Sequence, residues 1–224
     1  DKPELSGPIE GPVASGHEAE AVDFRDSTGA VYKPSGPVTQ YFAEQITVIN
    51  RQPAAPAPTA PSPPPHFVDR QSELRTLIGW LTSAEPTASL ALHGMGGIGK
   101  SALTKKLAHA VTDHFPGGVL WTTLGTQPDV FHILQHWALA SGGDVRNHTD
   151  VLDRAAAVRT LLASRERILV VLDDVWEHEC PHLLMRHALP GDAKVVLTTR
   201  DADLAKRLRC RVENLNALAE ADAL

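Results

Sequence analysis

The sequence predicts an α/β fold, a parallel sheet covered on both faces by helices, and three observations carry that prediction. From His66 onward, helical patterns alternate with short apolar runs. Those runs, "SLALHG" and "RILVVLDD" above all, are apolar at nearly every position rather than at every second one, as strands buried on both faces are. A glycine-rich loop joins the first run directly to a helical pattern.

Taken in order, "RQSELRTLIGWLT" places Leu74, Leu77, Ile78 and Leu81 on one helical face. "SLALHG" reads as a buried strand, and "KSALTKKLAHAVTDHF" as a helix with Leu103, Leu107 and Val111 aligned. "GGVLWTTL" is a second strand. "PDVFHILQHWALAS" and "DVLDRAAAVRTLLASR" follow as helices, the latter capped by Thr149 or Asp150. "RILVVLDD" is the most apolar strand. A helix through His182 to His187 leads to the strand "AKVVLTTR", then a short helix near "DADLAKRL" and a last strand in "RVENLNAL".

The first 65 residues obey different rules. Twelve of the 17 prolines lie there, and residues 1–50 carry a net charge of −5 out of the chain's −6. Residues 1–21 lack periodicity and read as a disordered tail. Residues 22–52 contain β-formers (Val31, Tyr32, Val38, Tyr41, Phe42, Ile46) among Gly-Pro turns, too few to bury a core alone, which leaves three readings open: an assembly or adaptor motif, an unstructured tail, or part of a larger effector domain. Residues 53–65 hold seven prolines in thirteen positions and read as a polyproline spacer of ~3.1 Å per residue. The domain proper is then residues 66–224.

Composition excludes several classes. No apolar run approaches the ~18 residues of a membrane span, so no membrane partner is expected. The acidic balance argues against nucleic acid as the main partner, and the modest basic patch in "AKRLRCR" reads as a solvated face. Two cysteines form no disulfide framework, which suits a reducing cytoplasm. His178, Cys180, His182 and His187 are interrupted by Pro181 and lack metal spacing. Trp121, Trp137 and Trp176 read as core or edge packing.

The loop reads Gly94-Met95-Gly96-Gly97-Ile98-Gly99-Lys100-Ser101 and fits G-x-x-x-x-G-K-[ST]. Glycines let the backbone curl into a nest of N–H donors for phosphate oxygens, and the following helix, through Ala102, turns its positive end toward the anion. Lys100 is expected to reach the β- and γ-phosphates, and the Ser101 hydroxyl to bind Mg²⁺. A hard cation needs a further oxygen ligand, and Asp173 at the end of "ILVVLDD" supplies it. Asp174 is placed to orient or deprotonate an attacking water, or else to cap the next helix. Thr198, Thr199 and Arg200 end the next strand on the same sheet edge. A guanidinium there can pair with a γ-phosphate and register its loss, or else is a surface arginine.

These elements together resemble the NB-ARC family, in the signal-transduction (STAND) branch of P-loop NTPases. "LHGMGGIGKS" follows the family loop h-G-M-G-G-h-G-K-[ST], "ILVVLDDVW" its acidic strand, and "TTR" its sensor strand. "FVDRQSEL" keeps Val68, Arg70, Glu73 and Leu74 of the helix entry, with Asp69 where the family usually has Gly. The resemblance implies a P-loop NTPase sandwich with a five-stranded parallel sheet of the additional-strand type. It makes Val68 and Arg70 candidate adenine contacts, beside Gly94, Met95, Gly96, Gly97, Ile98, Gly99, Lys100, Ser101, Ala102 and Arg200 for the nucleotide. It implies Lys100, Asp173 and Asp174 as catalytic groups, with Ser101 and Asp173 on Mg²⁺. It also implies that the helical lid domain would follow residue 224.

Functionally, the resemblance implies an ADP/ATP switch, held by ADP at rest, assembled with ATP and reset by slow hydrolysis. It implies self-association in the ATP state and sensor and effector regions outside this chain. The alternatives are a steadily turning-over AAA+-like ATPase and a nucleotide-stabilised transcriptional regulator. A GTPase is disfavoured, because no N-K-x-D motif follows the acidic strand.

Overall fold

The computed structural model describes residues 60–65, 70–83 and 89–216. The expectations for residues 1–59, for Val68 and Asp69, and for the last eight residues lie outside these.

Five strands form one all-parallel sheet: β1 (Ser89–His93), β2 (Val119–Gly125), β3 (Leu169–Val175), β4 (Lys194–Thr199) and β5 (Arg211–Asn214). Their spatial order is β2-β3-β4-β1-β5. β4 thus lies between β1, which feeds the glycine loop, and β3, which carries the two aspartates. That is the additional-strand arrangement the resemblance implies.

The apolar runs explain why both faces are covered. Along β1 and β3, Leu90, Leu92, Leu169 and Val171 pack against α1 (Gln71–Thr82) and α2 (Lys100–Ala110). Their sequence neighbours Ala91, Val170 and Leu172 pack on the opposite face. That face is covered by α3 (Val130–Ala140), α4 (Val151–Ala163), α5 (Glu179–Leu183) and α6 (Ala202–Arg207). Two cores, one per face, are what strands without polar alternation require. Trp137 is fully buried in the second core, and its indole N–H donates to the Thr122 hydroxyl at 2.8 Å. On the first face, Ala60 packs into the α1–α2 core, and a ring nitrogen of His109 lies 3.1 Å from the Pro61 carbonyl oxygen.

Helix ends follow local chemistry. Asp150, not Thr149, caps α4, accepting from the backbone N–H groups of Leu152 and Asp153. Asp129 and Asp201 do the same for α3 and α6. α2 stops at Ala110, earlier than the pattern through Phe115 suggests. The Thr112 hydroxyl bonds back to the Ala108 and His109 carbonyls, and a short 3₁₀ turn, Thr112–His114, follows. The segment through His182–His187 begins earlier than expected, at Glu179. Pro181 sits in the first turn, where its missing N–H is harmless. It then widens into a π-type turn, Leu184–Ala188. No helix among the described residues is long and apolar enough to cross a membrane.

Candidate functional site

At the C-terminal edge of the sheet, the loop after β1 and the ends of β3 and β4 enclose a cavity of about 240 Å³. It is lined by Gly96, Gly97, Gly99, Lys100, Ser101, Ala102, Asp174, Thr198 and Arg200. Pockets that take whole small molecules usually exceed about 300 Å³. This one falls below that range.

The loop is shaped by backbone conformations that side chains resist. Gly99, the residue before α2, sits at φ 97° and lets α2 begin at Lys100. The first-turn N–H groups of α2 then open toward the cavity without intrahelical partners. Lys100 is 9% exposed, and its ammonium donates to the carbonyls of Gly94 and Met95, both at 2.8 Å. Burial pulls its pKa down first, and the Arg200 charge adds to this; Asp174 and Asp173 pull the other way. Two cations crowded beside a helix N-terminus favour an anion between them.

Asp173 is buried, and its Oδ1 accepts from the Ser101 hydroxyl at 2.7 Å and from the Thr198 hydroxyl at 2.6 Å. Hydroxyl and carboxylate oxygens, drawn together from α2, β3 and β4, form a donor set that suits a hard divalent cation such as Mg²⁺. Asp174 follows in a left-handed conformation, φ 55°, and lines the cavity beside Lys100.

Arg200 reaches in from the end of β4. Its guanidinium lies 4.7 Å from the centre of the Trp176 ring and against the loop, where a Cβ at position 96 would stand 2.8 Å from its Nη1. Trp176 is therefore not core packing: it is 44% exposed and forms a shelf for the arginine. Composition alone did not point to that pairing.

Arg70 is placed elsewhere. It is 5% exposed, donates to the carbonyls of Ile98 (3.1 Å) and Asn216 (2.9 Å), and pairs with Glu73 at 3.1 Å. The guanidinium ties the glycine loop to the chain leaving β5, whose Leu215 N–H donates to the His93 carbonyl at 2.7 Å. Met95 is an exposed loop tip, and Ile98 packs on the α1–α2 core. His178 and His182 stack with ring centres 4.9 Å apart, and Cys180 is buried in the second core.

Residues 70–224 match the NB-ARC domain family. The chain belongs to that family. It is thus a nucleotide-binding domain of the P-loop NTPase kind, as the loop and the sheet order independently indicate. The regulatory protein AfsR of Streptomyces griseus is 34% identical over 158 residues, covering 65% of this chain and 16% of that protein. The disease resistance protein SUMM2 of Arabidopsis thaliana is 28% identical over 126 residues, covering 54% of this chain and 14% of that protein. The NB-ARC chain therefore spans only about a seventh of the length of the curated relatives it matches. Among solved structures, Cdc6p from Pyrobaculum aerophilum superposes with a TM-score of 0.53 at 15% identity, covering 68% of this chain and 48% of that one. At that identity the likeness is one of fold.

Proposed function

We infer that this NB-ARC domain is the ADP/ATP-binding switch of a larger signalling or regulatory protein. The observation that carries this reading is that Lys100, Ser101, Asp174 and Arg200 line one cavity at the sheet edge, with Asp173 held against Ser101. Phosphate oxygens replace the Gly94 and Met95 carbonyls as partners of Lys100, and the first turn of α2 donates its free N–H groups. Ser101 and Asp173 hold Mg²⁺, which, when bound, neutralises charge on the phosphate oxygens. Asp174 orients or deprotonates the attacking water. Arg200 leaves the Trp176 ring for the γ-phosphate, so its position reports whether that phosphate is present.

A ligand moves a two-state equilibrium only through its differential affinity for the states. Arg200 and Asp174 supply that difference between ATP and ADP. The resting state is held by ADP, ATP drives self-association, and slow hydrolysis resets the switch; unassisted switch NTPases turn over at roughly 10⁻⁴ to 10⁻² s⁻¹. Sensor and effector regions lie in the remainder of the protein, which is cytoplasmic.

The test is to purify the full-length protein, denature it and identify the released nucleotide by chromatography, with Lys100→Ala as control. Near-stoichiometric ADP, lost in the control, is the expected result. Protein that carries no nucleotide and turns over added ATP several times per second overturns the switch in favour of a steadily cycling ATPase.

A further inference from the structure

The two adjacent aspartates pose a geometric problem. Side chains of a strand alternate between faces, and in β3 the odd residues 169 and 171 face α1 and α2 while 170 and 172 face the opposite core. Asp173 continues the odd set and meets Ser101 of α2. Strict alternation would send Asp174 into the apolar core of the other face, where an unpaired carboxylate is strongly disfavoured. The ladder slips instead. Leu172 pairs with Leu197 and Val175 with Thr199, so Asp173 and Asp174 together oppose Thr198 alone. This is a β-bulge. Asp174 takes up the extra residue at φ 55°, and Val175 regains the core face that Leu172 occupies.

A bulge leaves a backbone N–H without a strand partner. Here the Asp174 N–H donates to the Thr198 hydroxyl oxygen at 2.9 Å. Because that N–H can only donate, the hydroxyl's own proton is free for Asp173 Oδ1, 2.6 Å away. The directions of both bonds are thereby determined. One buried hydroxyl, 1% exposed, satisfies the bulge and aims the first carboxylate at Ser101.

We propose that Thr198 is a positioning residue of the nucleotide–metal site, holding Asp173 in its metal-binding rotamer and Asp174 in the bulge that keeps it at the cavity. This rests on the reading of Ser101 and Asp173 as Mg²⁺ ligands. Once Ser101 turns its oxygen to a cation, Thr198 is the remaining hydroxyl donor to Asp173.

The test compares Thr198→Val, which keeps the branched shape and removes the hydroxyl, with Thr198→Ser, which keeps the hydroxyl. ADP affinity of the full-length protein is measured by calorimetry with Mg²⁺ and with EDTA. Wild type gains affinity from Mg²⁺. T198V loses roughly tenfold of that gain, matches wild type within about twofold in EDTA, and T198S recovers the gain. A T198V protein that keeps the full Mg²⁺ gain overturns the inference and leaves the nucleotide reading standing. Equal losses in Mg²⁺ and EDTA overturn it too, because the hydroxyl is then merely structural. A wild type with no Mg²⁺ gain overturns the metal assignment and this inference together. Should T198V not fold, T198A and T198S are compared in the same way: alanine must lose the gain that serine retains.

Discussion

Lys100→Met separates what the loop lysine does for folding from what it does for binding. In the free protein its ammonium holds two loop carbonyls at 2.8 Å. Removing the donor forfeits two bonds of about 0.5–1.5 kcal/mol net each. Against that, the cost of burying a cation beside Arg200 disappears, though the attraction of Asp174 and Asp173 goes with it. The two sides partly offset, so the expected loss of stability is about 1 kcal/mol, or roughly 2–4 °C in Tm for a domain of this size. Binding has no such offset. A charge-assisted bond to phosphate is worth about 1.5–3 kcal/mol, so ADP affinity falls roughly 10- to 150-fold. Calorimetry for affinity and a thermal melt without nucleotide measure the two effects in one preparation. A melt lowered by more than about 10 °C with affinity retained would refute the argument: the lysine would then be a clamp of the loop and not a phosphate ligand.

Arg70→Ala removes two buried donors to backbone carbonyls and is expected to destabilise the domain by roughly 2–4 kcal/mol, with faster amide exchange at Leu215 and Asn216. An unchanged melt with weaker nucleotide binding would instead make Arg70 the base contact that the helix-entry motif suggests. Arg200→Ala is expected to abolish any preference for ATP over ADP. Trp176→Leu, which frees the guanidinium from a contact of about 0.5–1 kcal/mol, is expected to raise that preference about two- to fivefold in competition titrations. Burial pushes the Cys180 and Cys210 thiols up to about 12. Neither should react with Ellman's reagent at pH 8 until the protein unfolds. Because the folded state holds these protons longer than the unfolded one, stability is unaffected below about pH 9 and falls as the pH rises toward 12.

The order of elements and the glycine loop between β1 and α2 were legible in the sequence because each depends on local properties. An apolar run long enough to cross a two-faced core reads as a buried strand whatever lies beside it. A loop that must curl its N–H groups around an anion needs glycines at the places where they stand. Element ends were less legible. The stop of α2 depends on Thr112 bonding backward, and the early start of α5 depends on Pro181 falling in a first turn.

The site was divided along the same line. Lys100, Ser101 and Asp173 could be singled out from the sequence because the roles expected of them need particular chemical types at recognisable spacings. One further signal was present: the apolar positions Leu172 and Val175 are three apart where a strand requires two, and that break in parity marks the bulge. Other relationships are long-range and leave no local trace. Arg70 reaches across 28 residues to Ile98 and 146 to Asn216, Arg200 rests on Trp176, and Thr198 bridges two aspartates on a neighbouring strand. The sequence by itself determined which side chains could do the chemistry. Only the tertiary structure decided which of them meet, because a guanidinium or a hydroxyl has no preferred partner until the fold brings donor and acceptor into contact.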